Sequence, residues 1–425
     1  MTTHTLPAQR IAALRTAMKA HNIDVYIVPT SDPHNNEYVA DRWKGREWLS
    51  GFTGSAGTLV VAHDKAALWT DSRYFLQAEK ELAGSGIELM RMGVEGVPSE
   101  QEWIKDVLGY TLEEGERLSF KNVECSPQIG FDFMSVSYEP QIDLVYDFAD
   151  FLVNIDLLDE VWTDRPALPA HPIYIQPEEW AGESIEAKIA RLRTFIGAQH
   201  AQYYITNDAS EIAWLLNLRG EDISYNPVFL AYLIVGAENV HLFITNEHLT
   251  PEVKEYLKRV NTTYHPYDGV TAFLQQAPQN EHSFLYAFNI NYAFAELISE
   301  ACIGHWTPEQ GLSPITSWRA HKNEAEIAGF RRAMQHDGVA MVRFHRELDE
   351  KVANGSINQE TEWSIAERLE EIRAEHPEYH GLSFATIAGY AGNGAIVHYE
   401  ATAENHALIH QDLGRHCPLA NGRQT

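Results

Sequence analysis

Ile11, Leu14 and Met18 fall on one face at helical spacing, behind a proline (Pro7) suited to a first turn. The apolar run Val25–Val28 then predicts a short buried strand. Thr30–Tyr38 is rich in turn formers and predicts a loop. Gly51–Ala62 passes from a glycine-rich bend into a strand, and Ala66–Thr70 is expected to pair with it across His63-Asp64-Lys65 as a hairpin. A helix is predicted over Tyr74–Leu82, a strand over Ile87–Met92 and a helix over Ser99–Leu108. Ser99 with Glu102 has the spacing of a capping box.

The same rhythm returns after the proline-rich stretch Thr163–Pro177 (Pro166, Pro169, Pro172, Pro177), which resists helix and predicts an extended linker. A helix over Ser184–Ile196, a strand over Tyr203–Ile205, a helix over Ser210–Leu216 and strands over Phe229–Val235 and Val240–Ile244 follow. Ile11–Val28 and Ile189–Thr206 align with 8 of 18 positions identical, among them Leu14/Leu192, Arg15/Arg193, Thr16/Thr194 and Tyr26/Tyr204. Thr58–Trp69 likewise answers Tyr232–Phe243. The chain therefore carries two similar α/β units in tandem. The remainder differs. Asn323–Lys351 predicts a long helix with Ile327, Phe330, Met334, Val339, Val342 and Leu348 as its apolar members. Thr361–Glu375 predicts a second helix, and Ser383–Tyr399 a strand, a glycine turn and a strand.

Composition narrows the partners. The 425 residues call for two or three domains. With 60 acidic against 32 basic residues, the net charge of −28 argues against nucleic acid and against an anionic membrane. No run approaches the roughly 20 apolar residues that span a bilayer. The N-terminus lacks the charged and apolar regions of a signal peptide. Cys125, Cys302 and Cys417 are widely spaced, with no zinc or disulfide pattern, which favours a reducing, cytoplasmic setting.

Seven segments occur in a telling order: SDPHNNEY (Ser31–Tyr38), SGFTGSAGT (Ser50–Thr58), LWTDSRYFLQA (Leu68–Ala78), VWTDRP (Val161–Pro166), EIAWLLNLRG with SYNPVF (Glu211–Phe229), HKNEAEI (His321–Ile327) and NGAIVHY (Asn393–Tyr399). Together they resemble the long, three-domain, cytosolic Xaa-Pro aminopeptidases. The resemblance implies two creatinase-N-like α/β domains, 1–160 and 161–314, followed by an α+β metallopeptidase domain of the pita-bread type from residue 315. It implies two Mn²⁺ ions per site, which generate hydroxide and polarise the carbonyl. The implied substrates are peptides with proline at the second position, and the implied assembly is a homodimer. A prolidase or creatinase fits less well, because those have a single N-terminal unit. By the resemblance, His398 contacts substrate and helps move a proton, and Arg73 reaches toward substrate across a subunit interface. Taken alone, a loop arginine more often pairs with a neighbour such as Asp71.

The resemblance runs through His406–Asp412 and departs from Leu413. The family continues there with a strand ending in Asp-Ser-Gly, then further Asp, His and Glu ligands. This chain has LGRHCPLANGRQT, with Pro418 near the place of the first aspartate. No metal ligand is expected from this chain, the pita-bread domain is expected to be incomplete, and the polypeptide is expected to be inactive alone. The alternative is a non-catalytic oligomerisation or binding module that pairs with a full-length copy. His406, His410, Asp412, His416 and Cys417 crowd together, but Gly414 and Pro418 oppose the helix that would align them, so a disordered polar terminus is expected. His34 is expected to cap its turn. Asn217–Gly220 and Asn226-Pro227 are expected to shape a domain interface. The glycines of GFTGSAG suit a tight bend, not a phosphate loop, since no GK[ST] follows. Glu362, Glu367, Glu370 and Glu371 are expected to form a solvated helix face.

Overall fold

The computed structural model describes residues 5–110, 126–138, 148–276, 283–301, 303–307 and 311–410. The three cysteines, and Asp412 and His416 of the histidine-rich tail, lie outside these residues. Two compact units form. The first holds the chain to Asp71 and from Ala78 to Lys322; the second holds Ser72–Gln77 and the chain from Asn323 onward.

The first unit contains two six-stranded sheets of the same topology. In one, β1 (Val25–Pro29), β2 (Thr58–Ala62), β3 (Ala66–Thr70), β4 (Glu88–Arg91), β5 (Ile129–Phe131) and β6 (Leu152–Asn154) run in the order β4-β3-β2-β1-β5-β6. A two-stranded sheet pairs β7 (Tyr174–Ile175) with β9 (Leu218–Arg219). The other large sheet uses β8 (Tyr203–Thr206), β10 (Ala231–Gly236), β11 (Val240–Ile244), β12 (Thr262–His265), β13 (Ser283–Tyr286) and β14 (Ile303–Trp306), in the order β12-β11-β10-β8-β13-β14. Strand for strand, antiparallel pairs answer antiparallel pairs (β1–β2, β8–β10) and parallel pairs answer parallel ones (β1–β5, β8–β13). The duplication in the sequence is thus a duplication of topology.

Helix α1 (Thr5–Ala20) buries Leu14 and Met18 completely, as its apolar spacing requires. The predicted hairpin forms β2 and β3, with Leu59 opposite Leu68. Gly57 allows the bend: a Cβ there would sit 2.7 Å from the Trp69 carbonyl oxygen. Helix α2 (Glu100–Val107) has the reciprocal Ser99/Glu102 capping box. Asn217, with φ 50°, departs from expectation. Instead of shaping a domain boundary, it staples helix α3 (Ile185–Ala198), accepting from the buried Lys188 ammonium at 2.7 Å and donating to the Glu183 carbonyl at 2.8 Å.

Helix α4 (Ala209–Leu215) follows α3 in the first unit, and in the second unit Asn323 caps helix α5 (Glu324–Asn354) with a capping box. Gly355, at φ 80°, ends α5 in the left-handed conformation. Helix α6 (Glu362–Ala374) packs Ile365, Leu369 and Ile372 against Ala340, Phe344 and Leu348 of α5. Ion pairs flank this seam: Arg368 with Glu347, Arg373 with Asp337 and Arg343 with Glu375. The expected apolar members of α5 divide. Leu348 is buried, whereas Phe330, Met334, Val339 and Val342 are exposed.

The expected strand–turn–strand of Ser383–Tyr399 does not form. The segment is irregular, with a short 3-10 turn at Ala391–Ala395. Its amides close local turns, Asn393 to the Tyr390 carbonyl and Tyr399 to that of Ile396, and no neighbouring strand among the described residues offers a ladder.

Candidate functional site

Glu362 organises the segment that carries His398. It opens α6, and its neighbours Thr361 and Glu360 form a short backbone pairing with Ala407–Ile409. Its carboxylate is fully buried. It accepts from the Tyr390 amide (2.5 Å), the Asn393 side-chain amide (3.0 Å), the Tyr399 hydroxyl (2.7 Å) and the Ala407 amide (2.6 Å). Charge-assisted bonds of this kind are the stronger ones, and a buried carboxylate needs several of them. Burial, then the Glu362 carboxylate, pushes the Tyr399 phenol up, so it stays a donor. The expectation of a solvated Glu362 is corrected. The reason is positional: 362, 365, 369 and 372 follow helical spacing, so Glu362 lies on the same buried face as Ile365, Leu369 and Ile372.

Tyr399 turns inward and its neighbour His398 is exposed. Nη1 of Arg73 lies 3.4 Å from Nε2 of His398. The Tyr74 ring stacks on the imidazole, with centroids 5.6 Å apart and planes 18° apart. Because a guanidinium only donates, Nε2 accepts in this contact and the ring proton belongs on Nδ1. The two residues singled out from the sequence, Arg73 and His398, are thus brought together within one chain, 325 positions apart.

His34 does something other than cap a turn. It is fully buried between the two repeats of the first unit. Its Nδ1 donates to the Asn207 carbonyl (3.0 Å), Nε2 accepts from the Tyr267 hydroxyl (2.6 Å), and the ring stacks on Tyr232 (4.7 Å). Burial pushes this imidazole down to about 4. Beside it, Asp32 accepts from the His34 and Asn36 amides, and burial pushes its carboxyl up to about 6. Glu211, at the start of α4, is fully buried, accepts from the Thr206 and Thr316 hydroxyls, and is raised by that burial. Perturbed groups often mark function. Here each is enclosed by partners, and His34 joins the repeats through Asn207, Tyr232 and Tyr267.

Metal donors are distributed differently. Among the described residues, one group of three gathers: His336, His376 and Glu378, whose ligand atoms lie within 4.8 Å of one another. His336 is on α5 and the other two follow α6. No such group surrounds His398 among the described residues. Among the described residues, the donors beside His398 do not by themselves make up a two-metal centre.

Residues 10–139 match the Creatinase/Prolidase N-terminal domain family, residues 164–326 match a second family of that description, and residues 328–416 match metallopeptidase family M24. Sequence and fold define the class: two creatinase/prolidase N-terminal domains joined to M24 sequence. The curated homologues are Xaa-Pro aminopeptidases P. It is 36% identical to the probable Xaa-Pro aminopeptidase P of Aspergillus clavatus, over 95% of this chain and 60% of that protein. It is 36% identical to aminopeptidase P2 of Arabidopsis thaliana, over 90% of this chain and 56% of that one. The crystal structure of the X-prolyl aminopeptidase from Caenorhabditis elegans, described as a cytosolic enzyme with a di-nuclear active site, superposes with a TM-score of 0.82 at 27% identity. That match covers 96% of this chain and 66% of the nematode one. The chain thus spans about 60% of the length of the curated relatives it matches. M24 is a metallopeptidase family, so a metal cofactor goes with the class. Among the described residues no helix is long and apolar enough to cross a membrane.

Proposed function

We propose that this chain is built on the plan of a cytoplasmic, manganese-dependent Xaa-Pro aminopeptidase. That enzyme releases the N-terminal residue of a peptide whose second residue is proline. In this reading His398 meets the substrate near the scissile bond, Arg73 and Tyr74 hold the imidazole, and Glu362 holds the backbone beneath it. The carrying observation is the convergence of Arg73, Tyr74 and His398 over the Glu362 clamp, in a chain whose homologues bear the peptidase name.

The polypeptide does not cleave such peptides by itself. No donor group surrounds His398 among the described residues, and Leu413–Thr425 contains neither aspartate nor glutamate, the hard ligands that suit Mn²⁺. The pairing-module alternative is not favoured, since the homologues are named for the peptidase. A homodimer belongs to the same reading and is checked by sedimentation.

The test has two arms. The purified chain is assayed for release of the first residue from an Xaa-Pro peptide with and without Mn²⁺; no turnover is expected. A chimera, with the residues after His410 replaced by the corresponding segment of the nematode enzyme, is expected to regain Mn²⁺-dependent cleavage and to lose it again with His398→Ala. Turnover by the unaltered chain, or a folded chimera that stays inactive with metal bound, would sink the reading.

A further inference from the structure

We infer that His336, His376 and Glu378 form a site for one divalent transition-metal ion of the zinc type, separate from the segment that carries His398. Three donor atoms from two elements converge to within 4.8 Å. The two imidazoles face each other with centroids 3.6 Å apart and planes at 35°. Among the described residues the His336 ring has no hydrogen-bond partner, and it is exposed, so an ion could reach it.

The scaffold around the site is fixed. Asp337, next to His336, accepts from Arg373 at 2.7 Å, three residues before His376. Glu375, next to His376, takes a bidentate bond from Arg343 of α5 at 2.6 and 2.9 Å. The His376 amide donates to the Arg373 carbonyl and the Tyr379 amide to the His376 carbonyl, which sets the turn carrying Glu378. Both backbone elements are therefore held in place before an ion arrives, and only side-chain rotations remain.

The donor set selects the ion. Two imidazoles and one carboxylate suit a borderline ion such as Zn²⁺, with water completing a tetrahedron. Zinc bonds of about 2.0–2.2 Å place tetrahedral donors roughly 3.4 Å apart, so the three atoms must close by about an ångström. His336 and Glu378 are exposed and His376 is half-buried, so their side chains can make that movement. One contact must change. Nδ1 of His376 now accepts from the Glu378 amide at 3.2 Å. Coordination through Nε2 puts the ring proton on Nδ1, so that bond opens as the Glu378 carboxylate swings to the ion. Binding would tie α5 to the segment after α6 and stabilise the folded second unit by mass action.

The experiment is a Zn²⁺ titration of the full chain against a competing chromophoric chelator, with thermal melting in parallel. Wild type is expected to take up one ion and to melt higher in its presence. His336→Ala and His376→Ala are each expected to lower the affinity about tenfold or more, and Glu378→Gln by several-fold, on the scale of lost ligation. All three are expected to melt close to wild type without metal, since His336 and Glu378 are exposed and His376 is only half-buried. His406→Ala and His416→Ala are expected to bind as wild type does. Unchanged affinity in both His336→Ala and His376→Ala, loss of the ion in His416→Ala instead, or no Zn²⁺ uptake by wild type would each overturn the assignment.

Discussion

Arg15 and Arg193 occupy equivalent positions in the two repeats and make the same bond. Nε of Arg15 donates to the Ala62 carbonyl at the end of β2 (2.8 Å), and Nε of Arg193 donates to the Gly236 carbonyl at the end of β10 (3.0 Å). Each ties its helix to the strand end across from it. The hydroxyls one residue on also agree, Thr16 with the Ala12 carbonyl and Thr194 with that of Ala190. At these two pairs of identical positions the fold repeats the bonds.

Arg15→Met and Arg193→Met are accordingly expected to cost about 1–2 kcal/mol each, because each leaves a part-buried carbonyl without its charged donor. The two share no partner, so the double variant should show their sum to within about 0.5 kcal/mol. Urea unfolding measures all three. A cost confined to one repeat would show that the bonds are not equivalent.

Glu362 is expected to be the most sensitive residue of the second unit. Glu362→Ala strands two amides, an amide side chain and a phenol in a buried pocket, at about 1–3 kcal/mol for each donor left unpaired. We expect a loss of more than ~3 kcal/mol and rapid proteolysis between residues 390 and 407. Glu362→Gln keeps one acceptor oxygen and should lose less. Limited proteolysis with thermal melting checks both; an intact Tyr390–Ala407 segment in Glu362→Ala would refute the clamp.

His34 gives an acid dependence of known sign. Its folded pKa, about 4, lies below the unfolded value of 6.5. The unfolded chain therefore binds the proton first. The stability tied to neutral His34 is present above pH 6.5 and is lost as pH falls from there toward 4, by up to about 3 kcal/mol. Asp32 acts oppositely. Raised to about 6 from 3.8, it contributes fully below pH 3.8 and loses that contribution as pH rises through 6. The two offset each other in the wild type. His34→Gln should therefore be less stable at pH 7 yet fall less between pH 6.5 and 4, and Asp32→Asn should fall more. Parallel slopes for all three proteins would contradict the shifts.

Arg73 is expected to act on catalysis through His398. In the restored chimera, Arg73→Ala should lower kcat about 10-fold or more, the scale of one misplaced acid–base group, and alter the pH profile. Arg73→Lys should recover part of the loss while Tyr74 still stacks. A change in KM alone, with kcat and pH profile intact, would make Arg73 a substrate-binding residue instead.

Much of this was legible in the chain. Leu14 and Met18 announced their buried face, Ser99 its cap, and His63–Lys65 the hairpin turn, because each depends on neighbours a few residues away. The second unit was harder. Helical spacing from Ile365 to Ile372 already pointed Glu362 inward, but charge suggested solvent, and only its four donors reverse that. Ser383–Tyr399 has strand composition without strand partners, so hydrogen bonding to Glu362 and local turns decides its path.

The sequence by itself determined the repeat, its boundaries of pattern, and the chemistry available at Arg73 and His398. Tertiary structure decided which distant groups meet: His34 with Asn207 and Tyr267, Arg73 with His398, His336 with His376. The reason is physical. Periodicity records how a residue faces its own helix or strand, whereas burial of a charge or a ring is set by partners that can lie hundreds of residues away.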